Sequence, residues 1–557
     1  MKKLEKEQKQ KIKKVLLIAL AVIIVLIVVY KLNDFMVLGK NKTTNLVINN
    51  NNVTANLKNE ILIQDDEIYI SKADLSNFFD KYIYEDTENN QIITTYNTKL
   101  ASISLEENKM TINGSNKETS AHAIEKNDTI YLPIEELKDV YGIEIEYIED
   151  SKVLTLDSTS REQKKAIVSK TVAVKASTGF VSRTVERVKK GSYVIVVSEE
   201  DGYTKIRTET GNLGYVKSNK LANIVTVRES MEEEKQIEGK VNLVWDYYSE
   251  YVTAPTRTGE TLEGVNVVAP SFFYLDSSGD LEENIGTTGA SYIEWAHNNG
   301  YKVWPIVSNA GDGMLSVTSS IMNDYNKREE LINKIVEACV KYKLDGINID
   351  FENMKEEDKD MYSRFIIELT PRINDMGMVV SVDVTAPDGS ETYSLCFDRN
   401  VIGDVADYII FMAYDEYGAT SDKAGTTAGY NWVKLGLTKF LETEEIESDK
   451  IILAIPLYTR LWTEDDSENI IKQSSVSMKS IEKVLPSNLD KQWDDDLKQY
   501  YVEYQEDGYT KKMWIEDEDS LKAKISLITE NDLAGVGSWA KDMESEDFWS
   551  FLNSELK

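Results

Sequence analysis

Histidine is almost absent from this 557-residue chain. Only His122 and His297 occur, so a Ser-His-Asp triad or a histidine-rich zinc site has no support. Cysteine is equally scarce: Cys339 and Cys396 fall in or near helix-like segments, where buried free thiols are the favoured reading and one disulfide the alternative. No phosphate-cradling glycine loop or nucleotide fingerprint is found. Neither a cofactor nor a metal is therefore expected. Positive charge is also in deficit, with 63 Lys and Arg against 96 Asp and Glu and a net charge of -33. That disfavours nucleic acid and anionic membrane surfaces as partners for the bulk of the chain.

Long apolar runs are missing except at one place. Seven lysines crowd residues 1–14, and Val15 to Tyr30 is then uninterruptedly apolar. With Ile12 and Leu32 extending the run and Lys14 and Lys31 able to snorkel, a transmembrane signal anchor is expected over 15–32, behind a cytoplasmic tail at 1–14. A cleaved signal peptide competes with this reading. The run exceeds the usual h-region, and no Ala-x-Ala-like site follows it. The lysines ahead of the span predict a single-pass protein with its N-terminus in the cytoplasm and all later domains outside.

What the chain does have is concentrated in Leu344-Asp345-Gly346-Ile347-Asn348-Ile349-Asp350-Phe351-Glu352. Read as a strand, Asn348, Asp350 and Glu352 share one face, while Ile347, Ile349 and Phe351 share the other. A solvated antiparallel strand is the bland alternative. A calcium loop fails, because the sixth position counted from Asn348 is Asn353, where glycine is needed. Acids stacked between two apolar layers raise one another's pKa, and the outermost can stay protonated as a general acid.

Seven further apolar runs surround this one: Val241 to Trp245, Val265 to Ala269, Val303 to Val307, Val379 to Thr385, Tyr408 to Ala413, Ile451 to Ile455 and Ala534 to Trp539. Between most of them lie amphipathic stretches such as Asn326 to Tyr342, with Leu331, Ile335, Cys339 and Val340 at helical spacing. Eight strands alternating with helices predict an α/β fold, a (β/α)8 TIM barrel over about 238–557. The acids then stand at the C-terminal end of strand four, where such barrels carry their chemistry. The stretch between strands seven and eight, with Tyr504, Trp514 and Glu516, is expected to shape the cleft.

Residues 238–557 resemble glycoside hydrolase family 18, whose strand-four signature is Asp-x-x-Asp-x-Asp-x-Glu. This chain reads Asp345, Asn348, Asp350, Glu352. Met412-Ala413-Tyr414-Asp415 resembles the strand-six motif, Ile455-Pro456-Leu457-Tyr458 the strand-seven motif and Gly537-Ser538-Trp539 the strand-eight tryptophan. Asn348 departs from the innermost aspartate, a substitution similar to that of the spore cortex-lytic N-acetylglucosaminidase subgroup. The resemblance implies Glu352 as proton donor, with Asp350 and Tyr414 orienting the substrate's own acetamido group as nucleophile. It further implies Trp539 as the sugar floor, Asp415, Asn348 and Tyr458 in substrate binding, and Asp345 in a structural task.

Ahead of the barrel, residues 44–157 look duplicated: Ile68-Tyr69-Ile70 with Leu75 returns as Ile130-Tyr131-Leu132 with Leu137, an offset of 62. This small α+β module resembles the copper amine oxidase N-terminal-like domain. One histidine and no cysteine promise no copper. Residues 170–222, short β runs broken by Gly191, Gly202 and Gly211, resemble a bacterial SH3-like barrel, and charged stretches at Asp157 to Lys165 and Arg228 to Lys240 read as linkers. The expectation is a glycosidase at the cell membrane, its domain outside, acting on a carbohydrate polymer: peptidoglycan first, chitin second. A lectin-like binder without turnover and a structural assembly protein are the rivals from other classes. Oligomeric state leaves no sign in the sequence.

Overall fold

The computed structural model describes residues 2–35, 41–179, 182–231, 236–249, 252–259 and 261–557. The chain forms two compact units, Met1–Tyr96 with Ala101–Glu234, and Asn97–Leu100 with Lys235–Lys557.

The first unit begins with a helix, Lys2–Phe35, whose stretch Lys9–Val29 has the length and composition to cross a membrane. At 1.5 Å per residue those 21 residues span about 31 Å. Beyond it, the duplicated strands Glu67–Ser71 and Thr129–Pro133 pair antiparallel with each other, Leu132 opposite Ile70. Leu75 and Leu137 are both fully buried beneath them. The copies differ after the strand. Ser71 caps the helix Lys72–Phe78 by accepting from the Asp74 backbone N–H, whereas the matching residue is Pro133, which has no hydroxyl, and 134–141 form turns.

The next region is all β. Seven strands between Gln163 and Arg228 make one sheet around Ala166, Val174, Val194, Ile206 and Val216. It overruns the 170–222 expected from sequence at both ends. The supposed linker Asp157 to Lys165 is largely strand: Val153–Ser158 ends one sheet and Gln163–Val168 begins the next, because period-two alternation places Ala166 and Val168 in the core despite the flanking lysines. Leu221–Arg228 likewise reaches into the second linker, whose residues 232–235 lie outside the described ones.

The second unit carries the barrel strands β1 (Val241–Asp246), β2 (Val267–Pro270), β3 (Lys302–Val303 and Ile306–Ser308), β4 (Gly346–Asp350), β5 (Val379–Val384), β6 (Tyr408–Met412), β7 (Ile451–Pro456) and β8 (Gly535–Trp539). Neighbours are parallel throughout, and β8 pairs with β1. Strand three is interrupted at Trp304-Pro305, because proline has no N–H to give the ladder. The Trp304 N–H still reaches Val268 O at 3.0 Å, and Pro305 O accepts from Asn348 N at 2.9 Å.

Alternation sorts the strands into two cores. Leu243, Trp245, Val267, Ala269, Ile306, Ile410, Ile452 and Ala454 fill the barrel interior. Val244, Val268, Ile347, Ile349, Val380, Val382, Ile409 and Leu453 face the helices. Gly537 admits the indole of Trp245, since a Cβ there would lie 2.8 Å from its Cζ3. The helix before β4, Tyr325–Tyr342, buries Leu331, Ile335 and Cys339 but leaves Val340 59% exposed. Val340 follows Cys339 by one residue and so turns 100° off the buried stripe. Both cysteines are free and buried, and burial pushes the thiols up, Cys339 to about 12 and Cys396 to about 11.

Between β7 and β8 the chain forms a five-stranded antiparallel sheet rather than a loop. Glu516 is fully buried and paired to Lys524 at 2.7 Å.

Candidate active site

The helix Tyr325–Tyr342 sets the entry to β4. Asp324 caps its start, and Lys343 ends it in a left-handed conformation at φ 53°. Two residues later Asp345 Oδ2 accepts from the Val303 backbone N–H at 3.0 Å and pairs with His297 Nε2 at 2.8 Å. Asp345 therefore ties β4 to β3 at the strand entry, at the end of the strand remote from Glu352.

Along β4 the inward positions become progressively more open. Asn348 is completely buried. Its Oδ1 accepts from Trp245 Nε1 at 2.9 Å, and its Nδ2 donates to Ser381 Oγ at 3.0 Å and to Asp383 Oδ1 at 2.8 Å. Asp350 is next and ends the strand, so Glu352 stands two residues beyond regular structure. A backbone clamp holds it there: Asn309 Oδ1 accepts from Glu352 N at 2.8 Å, and Asn309 Nδ2 donates to Glu352 O at 2.9 Å. Asn309 was not anticipated, and a single asparagine after β3 carries no pattern.

Burial, and then the negative charges of Asp350 and Asp415, lift Glu352 well above the ordinary carboxylate range. Burial followed by the charge of Asp383 does the same to Asp350. Contact between the two carboxyls raises Glu352 further and partly offsets the rise at Asp350. Burial and neighbouring negative charge thus favour the protonated form of Glu352.

Tyr414 follows β6, half-buried, with its ring 6.5 Å from those of Tyr458 and Trp539. Burial first, then the surrounding acids, push its phenol up, so it remains a hydrogen-bond donor. Asp415 Oδ1 accepts from Tyr458 OH at 2.6 Å and from Arg460 Nη2 at 2.7 Å. Arg460 is a further site residue that the sequence reading missed. Its signal is the two-residue spacing from Tyr458 on the strand Tyr458–Glu464, which puts both on one face.

Trp539 ends β8, flanked by Trp245 at 5.7 Å and Tyr247 at 5.4 Å. A cavity of about 300 Å³ opens beside it and Asp350, lined also by Tyr247, Tyr248, Ser271 and Ser308. That volume matches small-ligand sites. Close by, Asp246 at the end of β1 accepts from Arg257 Nε at 3.0 Å and Tyr292 OH at 2.9 Å.

The structure thus gathers Asp350, Glu352, Tyr414, Asp415, Tyr458 and Trp539 at the C-terminal barrel mouth, with Asn348 beneath them and Asp345 apart. An acid that can give up a proton, an adjacent carboxyl, a phenol donor and an indole wall suit hydrolysis of a sugar with a polar substituent.

Comparison with known proteins bears on the family and the fold. The model of glycosyl hydrolases family 18 matches residues 243–544, and that of the copper amine oxidase N-terminal domain matches 40–156. The glycosylase YvbX of Bacillus subtilis is 26% identical over 319 residues, 55% of this chain and 90% of that protein. The cortical fragment-lytic enzyme of B. subtilis is 25% identical over 245 residues, 42% of this chain and 55% of its own length. Among solved structures, a chitinase from Chromobacterium violaceum superposes with a TM-score of 0.50 at 20% identity, covering 57% of this chain and 99% of that one, a likeness of fold.

Proposed function

The chain belongs to glycosyl hydrolases family 18, and on that footing we propose a membrane-anchored, extracytoplasmic enzyme that cleaves β-linked N-acetylglucosamine glycans, peptidoglycan first, by substrate-assisted retaining catalysis. Glu352 protonates the glycosidic oxygen. The substrate's 2-acetamido carbonyl attacks the anomeric carbon from the opposite face, so no enzyme nucleophile is required and configuration is retained. Asp350 holds the acetamido N–H and stabilises the oxazolinium charge, and Tyr414 donates to the acetamido oxygen. Trp539 packs under the ring, and Asp415, oriented by Tyr458 and Arg460, meets a hydroxyl. Asn348 supports the site from below.

What supports this reading is the gathering of Asp350, Glu352, Tyr414 and Trp539 at the C-terminal end of the barrel strands, with burial and neighbouring acids raising Glu352. Its test is Tyr414→Phe. Removing the phenol O–H while keeping the ring is expected to lower kcat by about 10²-fold, the usual loss for one preorganised donor, with KM for chitin oligosaccharides little changed. An unchanged kcat refutes Tyr414 as the donor.

Peptidoglycan is favoured because the lysines ahead of the apolar run support a barrel on the outer side of the membrane, and because residues 170–222 resemble an SH3-like module that would face the wall. Protease added to intact cells should therefore remove the barrel and spare the lysine-rich tail; a protected barrel contradicts the topology.

A catalytically silent, lectin-like binder remains the second reading, and Asn348 in place of an inner aspartate is the residue that favours it. Glycan binding with no turnover in the wild type decides for it.

A further inference from the structure

A second acidic face lies on β5. In the parallel register Asn348 stands beside Ser381 and Ile349 beside Val382. One residue further along, alternation sets Asp350 of β4 and Asp383 of β5 on the same inward face as Asn348 and Ser381. Asp383 is only 1% exposed, and its Oδ1 accepts from Asn348 Nδ2 at 2.8 Å. Asn348 is itself fixed by Trp245 and Ser381. Asp350 Oδ1 is buried without a hydrogen-bond partner. The titratable groups facing this pair are Glu352 beyond β4, Tyr414 beyond β6 and Tyr362 on the helix Lys359–Asn374, none of them a cation.

Two neighbouring carboxyls in so dry a place do not both ionise; they hold one proton and one charge between them. The Asn348 amide selects where the charge rests, because its N–H stabilises a carboxylate on Asp383. An aspartate at position 348 would instead set a third carboxyl into the same pocket.

We propose that Asp383 is a positioning residue that exchanges one proton with Asp350 during turnover, an inference that rests on the glycosidase reading above. As positive charge develops on the acetamido-derived ring, the O–H bond of Asp350 breaks and an O–H bond forms on Asp383. The negative charge passes from Asp383 to Asp350, beside the ring. β5 thus supplies the inner carboxyl that β4 lacks at Asn348.

The test uses the full-length chain in detergent micelles, wild type beside Asp383→Asn and Asp383→Glu, with chitin oligosaccharides as probe. A singly ionised pair persists to lower pH than a lone carboxyl, which titrates between the two values of the pair. Asp383→Asn should therefore move the acid limb of kcat/KM upward by about one pH unit or more, with a rate deficit that is largest at the acid end. Asp383→Glu keeps a carboxyl and should return the limb toward the wild type. A profile of unchanged shape, lowered uniformly, would show a merely structural hydrogen bond and overturn the proposal. A readout independent of turnover separates the two claims: infrared titration of the protonated-carboxyl band in Glu352→Gln and in Glu352→Gln/Asp383→Asn. The pair should lose its last proton at higher pH than the lone Asp350. Coincident titrations overturn the inference, and a wild type that hydrolyses nothing defeats the glycosidase reading alone.

Discussion

Replacing Glu352 by glutamine is expected to lower turnover of N-acetylglucosamine oligosaccharides by about 10²–10⁴-fold, the usual contribution of a positioned general acid. The amide has nearly the volume of the carboxyl, and the clamp that holds residue 352 is made by its backbone to Asn309. The substitution should therefore leave the fold intact, with the affinity for oligosaccharide, read by calorimetry, within a few-fold of wild type. Turnover at the wild-type rate would remove Glu352 from the mechanism. Lost binding would assign it to holding the sugar instead. Burial, and then the charges of Asp350 and Asp415, raise the Glu352 acid, so activity in the wild type should persist through neutral pH and decline as Glu352 loses its proton.

The second large effect lies in the sheet between β7 and β8. Lys524 and Glu516 are both fully inaccessible, and the Lys524 ammonium lies 2.8 and 2.7 Å from the two Glu516 oxygens. Ser520 Oγ adds a donor at 2.8 Å, and Gln499 donates to the same carboxylate. This cluster joins the sheet to the helix Glu518–Glu530. Lys524→Met leaves a buried carboxyl without its cation and should cost about 3–5 kcal/mol, the range for a broken buried pair. Burial already holds Glu516 above its ordinary value with Lys524 beside it, and loss of the ammonium raises it further. The deficit then grows as pH climbs past about 4.3 and shrinks in acid, where Glu516 is protonated in both states. Thermal melts at two pH values check it. A loss below about 1 kcal/mol, the scale of an exposed pair, would mean that water reaches Glu516.

How much of this was legible in the sequence depended on whether alternation stood out. β4 was readable because Asn348, Asp350 and Glu352 interrupt an otherwise apolar run at every second residue. β5 has the same pattern in Ser381 and Asp383, yet Val379 to Thr385 reads as an ordinary buried strand, since a serine and one acid are a fainter mark than three carboxyl or carboxamide groups. Only the register beside β4 shows why it matters. Trp539, Tyr414 and Asp415 were found through motif resemblance and their order along the chain, not through their own chemistry. Asn309 and Arg257 had no local pattern, because their partners, Glu352 and Asp246, come from other parts of the chain. Charge misled at Asp157 to Lys165: lysines flank residues whose alternate neighbours are buried, and a linker was read where one sheet ends and another begins. The proline in β3 broke a strand that hydropathy alone drew as continuous.

The most direct measurement is mass-spectrometric identification of the reducing ends released from purified peptidoglycan by the full-length chain, wild type beside Glu352→Gln. The account predicts fragments ending in N-acetylglucosamine from the wild type and none from the variant. Fragments ending in another sugar, equal release by both proteins, or binding without release by either would contradict it.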